Sequence, residues 1–500
     1  MTDFQPGLIL PQIYLIVFAV LALFVGVRSA PDGWLWHSAT PAAMAIVGLI
    51  LAIEAQCVHL LAVLPGSEGL TVSQFGGALI IDPAGAFAGL LCAFIGLLVV
   101  LLSLAHFKDR FRQQGPYFCL LLLLVCVSSL IVYASTIVAI GSLVICHSAL
   151  QMLLQANRGT GNEATARNTA GFALLVAAGF LCCYSAIGIL RGFGSLELVQ
   201  IAVRLSVSAY SVGSPGALGL FLLSVLFLML FCPLMPDIWR GWWRAEFPAA
   251  LAITLLAGTS LSVLCVRMFA VGLGSAYTWC IFVSVVAFAA MIMGTWFALR
   301  TSNLQLMVLA NSLVQAGFVL TAVAVLAGVP GISSVRTLAL LDYTELSWLL
   351  ATIGTGTVAT ALERFRRETG VTKRWGRFGG SRWLSGFLVV TVWSLVGLPP
   401  TGGFSSRLEI LSLAWKSGLT PLRILVCTMV AVSAISVYYF GIAAKGAFAN
   451  DPPEYTHYKT HPSALAVSGF CSFGVIALFF TANVVVHAVA GRLWISLAVR

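Results

Sequence analysis

The sequence predicts an all-α polytopic membrane protein of about 14 transmembrane helices, with two inverted five-helix repeats (spans 4-8 and 9-13) and broken helices in spans 7 and 12. Three observations carry that expectation. First, 60% of the residues are hydrophobic and only 9% charged, whereas soluble globular chains carry about 25% charged residues. Second, apolar runs near twenty residues long recur along the whole chain, the length a helix needs to cross about 30 Å of hydrocarbon. Third, two of those runs are interrupted by prolines, at Phe231-Cys232-Pro233-Leu234-Met235-Pro236-Asp237 and at Gly397-Leu398-Pro399-Pro400-Thr401-Gly402-Gly403.

In chain order the runs cover approximately 8–27, 40–64, 83–106, 115–133, 135–155, 169–190, 215–235, 247–269, 275–299, 303–328, 338–362, 383–415 (broken), 421–446 and 462–489. An even number of spans puts both termini on one side. Of the 27 Lys and Arg residues, 18 fall on the side of the first connecting loop, a two-to-one excess that assigns this side to the cytoplasm and the termini to the opposite side. The loop Glu363 to Arg382 is then cytoplasmic; its basic residues anchor topology first and offer a surface for anionic lipid or a partner second. The N-terminus lacks a basic n-region and a small-residue cleavage site, so the first run is expected to stay as a helix.

The two breaks lie five spans apart, which predicts a division into an N-terminal three-helix segment (1–110), a first repeat (111–272), a second repeat (273–450) and a C-terminal helix (451–500). Proline removes a backbone donor, so the carbonyls before Pro399 and Pro400 lose their helical partners, as do those before Pro233; inside a membrane they must find others. Such breaks commonly mark an ion or substrate path, and Arg407 is the basic side chain this break brings to membrane depth.

Other chemistry is thin. The twelve cysteines lie almost wholly inside apolar runs without a CxxC, so they read as small hydrophobes rather than disulfides or cluster ligands. No dinucleotide-binding glycine fingerprint, P-loop or metal-ligand spacing occurs. The net charge of +10 is scattered over short loops, which argues for topology and against a nucleic-acid partner.

The stretch GLPPTGGFSSRLEIL (397–411) resembles the GxPPTxGFxxK pattern of the N subunit of respiratory complex I, an antiporter-like subunit of its membrane arm. Further pieces agree in order: Pro236-Asp237-Ile238-Trp239-Arg240-Gly241, Val266-Arg267-Met268-Phe269, Thr301 to Gln305 with Ala310-Asn311-Ser312, Ala361 to Arg364, and Tyr438-Tyr439. The resemblance covers roughly residues 80–455. It implies a subunit of a proton-translocating NADH-quinone oxidoreductase in the bacterial inner (plasma) membrane, among other membrane-arm subunits including sister antiporter-like ones, and surrounded by lipid. NADH, FMN, iron–sulfur clusters and quinone would belong to partner subunits, with no cofactor, metal or redox catalytic residue in this chain. Two alternatives stay open: a free-standing cation/proton antiporter, and an antiporter-like subunit of a related complex with a different electron donor.

The departures bear on mechanism. The family places a glutamate on the fifth span, lysines on the seventh and eighth, and a lysine after the broken twelfth. Here the corresponding stretches read Ala139 to Val144, a seventh span with only Ser224 as a polar group, Thr259 with Ser260, and Arg407. An arginine is effectively always protonated, so it sets a field but relays protons poorly. The expectation is an incomplete family-type proton path, whose remnants are His147, Gln315, Arg407 and Glu54. Glu54 is expected to be deep enough to need a partner, Asp82 to be interfacial, Arg167 to face a neighbouring subunit, and Glu409 to pair with another helix.

Overall fold

The computed structural model describes residues 9–28, 40–63, 72–106, 114–156, 162–206, 214–231, 247–269, 277–329, 333–369, 382–447 and 461–493. Each of the 14 apolar runs falls on a helix among these residues, the broken one on two. Among the described residues ten helices are long and apolar enough to cross a membrane, and three shorter apolar helices accompany them. The chain divides into two compact units, Met1–Val100 with Asp109–Gly274 and Arg492–Arg500, and Leu101–Lys108 with Ser275–Gly491.

The first unit contains α1 (Leu10–Arg28), α2 (Thr40–Val63), α3 (Pro83–His106) as far as Val100, α4 (Gln114–Ile131), α5 (Ile137–Ala156), α6 (Asn162–Phe193), α7 (Leu198–Ser206), α8 (Ser214–Leu226) and α9 (Phe247–Arg267). Helix α4 packs on α1, α2, α5 and α9, so its Leu and Val side chains on nearly every face are buried. Two elements were not expected. One is α7, whose nine residues place apolar side chains on one face and Arg204 on another, a pattern too short for span recognition. The other is an antiparallel hairpin, β1 (Val72–Gln74) and β2 (Leu79–Ile81), paired Val72 to Ile81 and Gln74 to Leu79. Its turn uses left-handed backbone at Phe75 (φ 52°) and Gly77 (φ 90°).

The hairpin is tied into the unit through the α4–α5 turn. Ile80 donates its N–H to the Tyr133 carbonyl at 2.8 Å and Ser135 donates to the Ala78 carbonyl at 3.0 Å. Beneath it, Ile81, Ala88, Val132, Tyr133 and Val263 form an apolar cluster. Asp82 precedes Pro83, the first residue of α3, and accepts from the Gly85 N–H at 2.8 Å, an N-cap followed by proline at N1. Its carboxylate also meets Arg267 Nη2 at 2.6 Å, at the C-terminal end of α9, where a cation suits the helix dipole. Arg267 further donates to the Ile80 carbonyl at 3.3 Å. Asp82 is enclosed within the unit, with 3% exposure; the ion pair and the cap make that burial tolerable.

The second unit contains α10 (Tyr277–Arg300), α11 (Leu304–Gly328), α12 (Ser333–Thr369), α13 (Arg382–Val396), α14 (Gly402–Lys416), α15 (Thr420–Ala447) and α16 (Pro462–Leu493) as far as Gly491. Asn303 caps α11 by accepting from the Gln305 N–H at 2.9 Å. Helix α11 is enclosed by its neighbours along its whole apolar window and packs on α10, α12, α14 and α15. Helix α12, longer and more polar, packs on α11, α13 and α14, and Tyr343 on it donates to the Leu478 carbonyl of α16 at 3.0 Å.

Candidate functional site

The broken helix in the second unit is the most fully built polar site. Helix α13 stops at Val396 and α14 starts at Gly402. The stop is a Schellman motif: Gly397, at φ 83°, donates to the Ser394 carbonyl at 3.1 Å, and Leu398 donates to the Trp393 carbonyl at 3.0 Å. Two carbonyls of the last turn, Leu395 and Val396, remain without helical partners. Arg407, one turn into α14, turns back and donates to both of them. Gln315 on α11 also donates to the Leu395 carbonyl, at 3.1 Å.

The remaining contacts fix the guanidinium. Arg407 donates to Ser433 Oγ on α15 at 3.1 Å, and its centre lies 4.7 Å from the Phe318 ring, at cation–π distance. One turn before Gln315, Asn311 accepts from the Tyr439 hydroxyl at 2.9 Å. Arg407 and Gln315 thus converge on one backbone carbonyl, while the guanidinium provides a fixed positive charge whose donors face oxygens. It can hold the break open and set a field. Release and recapture of a proton is not in its chemistry.

Two glycines allow this approach. A Cβ on Gly397 would lie 2.7 Å from Arg407 Cδ, and one on Gly403 would collide with the Ser394 carbonyl oxygen. The left-handed backbone at Gly397 alone makes Gly397→Ala cost about 1–2 kcal/mol, and the collision with Arg407 adds to it. Thermal unfolding of the purified protein should show a lower midpoint for Gly397→Ala than for Gly386→Ala, where no atom lies within 4 Å of the added carbon. Equal midpoints would contradict this packing.

In the first unit His147 is fully enclosed on α5, with Nδ1 2.9 Å from Gln151 Nε2 one turn on. Its Nε2 has no partner among the described residues. Next to it, Ser148 donates to the Leu228 carbonyl at 3.4 Å, within the π turn Phe227–Phe231 that extends α8. A π turn widens the hydrogen-bond ladder and is frequent at functional sites. Ser224, the polar group of this span, donates to the Phe221 carbonyl and is occupied within its own helix. The proline of the expected first break, Pro233, lies outside the described residues.

Glu54 finds no enclosure among the described residues of this chain. It is exposed on α2, in a stripe with Val47, Ile50, Val58 and Leu61, while the opposite face turns Gln56 and His59 inward. Depth along the span was readable from the sequence; the helix face was not, because α2 is apolar all round. Arg167 lies on α6, but its side chain is outside the described residues. Sequence reading missed two acids, Asp342 and Glu345, which are 6% and 3% exposed on α12. Their signal was a pair of carboxylates three residues apart within an otherwise apolar run, hence on one helix face. Among the described residues no group of three His, Cys, Asp or Glu side chains is arranged to hold a metal.

The family described as NADH:quinone oxidoreductase/Mrp antiporter, transmembrane, matches residues 149–433, which is 285 of the 500. The chain belongs to that family. Relatives named NADH-quinone oxidoreductase subunit N resemble it nearly end to end. The protein from Chloroflexus aggregans is 24% identical over 491 residues, covering 94% of each chain. That from Parvibaculum lavamentivorans is 24% identical over 494 residues, covering 96% of this chain and 94% of its own. Solved structures share the fold. A chain of respiratory complex I from Thermus thermophilus superposes with a TM-score of 0.70 at 18% identity, covering 95% of this chain and 98% of that one. A chain of the membrane-bound sulfane sulfur reductase, an archaeal respiratory complex, gives 0.75 at 16% identity, covering 96% and 97%. The antiporter-like fold of a multi-pass membrane protein, expected from the sequence, is therefore the observed one.

Proposed function

We propose that this chain is the N-type subunit in the membrane arm of a proton-translocating NADH-quinone oxidoreductase, contributing to proton translocation coupled to electron transfer from NADH to quinone. The observation that carries this reading is the near end-to-end similarity to relatives bearing that name, in both length and order. In this reading NADH, FMN, iron–sulfur clusters and quinone sit in partner subunits, and the complex resides in the bacterial inner membrane with both termini of this chain on the non-cytoplasmic side. The chain is organised as 1–110, 111–272, 273–450 and 451–500, the middle two segments being inverted repeats. His147, Gln315 and Arg407 border the proton route, with Arg407 as a fixed charge rather than a carrier.

Glu54 then faces a neighbouring membrane-arm subunit. A carboxylate on an apolar stripe is costly against lipid and tolerable against a partner's donor or cation. A tagged chain should therefore copurify with other membrane-arm subunits, and Glu54→Leu should weaken that association. If the chain purifies alone as a monodisperse species and exchanges cations for protons in liposomes, the free-standing antiporter reading replaces this one.

The family-type relay is incomplete, so a complex built with this chain is expected to move fewer protons per NADH than one with the full lysine and glutamate set. The measurement is the proton-to-electron ratio in reconstituted vesicles. His147→Ala should lower it further if His147 borders the route, whereas an unchanged ratio would leave His147 a packing residue hydrogen-bonded to Gln151.

A further inference from the structure

Helix α12 carries buried polar groups that the foregoing does not use. The hydroxyls of Thr344, Thr355, Thr357 and Thr360 each donate to the carbonyl four residues earlier, the ordinary way a threonine is accommodated in an apolar helix. Thr352 departs from that habit: its Oγ1 is buried without a partner among the described residues, as are Trp348 Nε1 and Glu345 Oε2. Residues 345, 348 and 352 are spaced three and four apart, so three of the four unpartnered atoms of this helix lie along one face, the fourth, Ser347 Oγ, lying off it. Asp342, also buried, extends the same face by one turn. At 1.5 Å per residue the face from 342 to 352 runs about 15 Å, half of a hydrocarbon core about 30 Å thick.

A buried carboxylate oxygen must meet a proton, a cation or a hydrogen-bond donor, and an indole N–H and a hydroxyl must likewise be satisfied. Water satisfies all three at once, since it donates to the carboxylate and accepts from the indole, and a polar lining with several partners is the setting in which buried water is held. From this juxtaposition we propose that Glu345 is the exchangeable proton-binding group of the second unit, served by a water-holding seam along the face Asp342, Glu345, Trp348 and Thr352. The carboxyl takes a proton from the water file as one O–H bond forms and returns it when that bond breaks; no redox partner is involved. The seam supplies a titratable group where the fifth, seventh and eighth spans carry none of the family's. Arg407, on the adjacent α14, contributes a fixed field. This inference rests on the proton-translocating reading above.

The test uses the assembled complex in vesicles, with two readouts. The first is the proton-to-electron ratio for wild type, Glu345→Gln, Glu345→Asp, Trp348→Phe and Thr352→Val. Glu345→Gln should lose the protons contributed by this subunit, Glu345→Asp should restore part of them, and the seam variants should slow proton uptake. Thr357→Val, whose hydroxyl is already bonded within the helix, should match wild type. A wild-type ratio in assembled Glu345→Gln overturns the proposal. The second readout is dicyclohexylcarbodiimide, which adds to a protonated carboxyl in an apolar setting. Mass spectrometry should find the adduct on Glu345 of the wild-type complex, with a parallel loss of pumped protons. Absence of an adduct overturns the proposal even if every Glu345 variant fails to assemble. An adduct on Glu345 in a complex that moves no protons would instead sink the translocating reading while leaving the acid assigned.

Discussion

Replacing Asp82 by alanine will destabilise the first unit by about 3–5 kcal/mol, the usual cost of removing one partner of a buried ion pair. The reason is what remains. Arg267 would keep its charge at 5% exposure, with only the Ile80 and Tyr133 carbonyls beside it at 3.3 and 3.5 Å. The α3 N-terminus would also lose its cap at the Gly85 N–H. Arg267→Ala should cost less, since a carboxylate that still accepts from Gly85 is partly satisfied. The double variant Asp82→Ala with Arg267→Ala removes both charges, so its loss should be smaller than the sum of the single losses. Unfolding midpoints of the four proteins complete the cycle, and simple additivity would show that the pair is not coupled.

Arg407→Ala should be the second largest loss, about 2–4 kcal/mol, because an orphaned buried carbonyl costs about 1–3 kcal/mol. Val396 would lose its side-chain donor, while Leu395 would retain Gln315. Removing the guanidinium also removes its own cost of burial, which keeps the figure below that of a broken ion pair. Arg407→Lys should recover about half, since an ammonium lacks the planar fork that reaches two carbonyls together. A thermal midpoint for Arg407→Ala equal to wild type would mean that water replaces the guanidinium at the break, and the residue's role would then be electrostatic alone.

The sequence made the helices legible because their signal is local: twenty apolar residues in a row mean a span wherever they pack. The place of the break was equally plain, since two adjacent prolines leave the helix few options. What closes the break was only half visible. Arg407 drew attention as a charge at membrane depth, but its engagement with Leu395 and Val396 depends on the left-handed turn at Gly397, which spacing alone does not reveal. The facing of Glu54 and the burial of Glu345 escaped sequence reading for one reason. An apolar helix has no polar face to orient it, so the sequence shows that an acid lies in a span but not whether it points at lipid, at a partner or at the core. Asp82 illustrates the same limit across distance, because the arginine that encloses it lies on α9.

That distance has a consequence for how the chain is made. Asp82 and Arg267 are separated by 185 positions. At a synthesis rate of about 5–20 residues per second, the carboxylate leaves the ribosome roughly 10–40 seconds before its partner. Throughout that interval α3 has its N-cap but not its ion pair, and the hairpin and the α4–α5 turn lack the cation that bridges their carbonyls. The first unit can insert helix by helix, yet it locks only when the last residue of α9 arrives. A nascent chain arrested before Arg267 should therefore remain open to proteases at the hairpin, and one arrested beyond it should not.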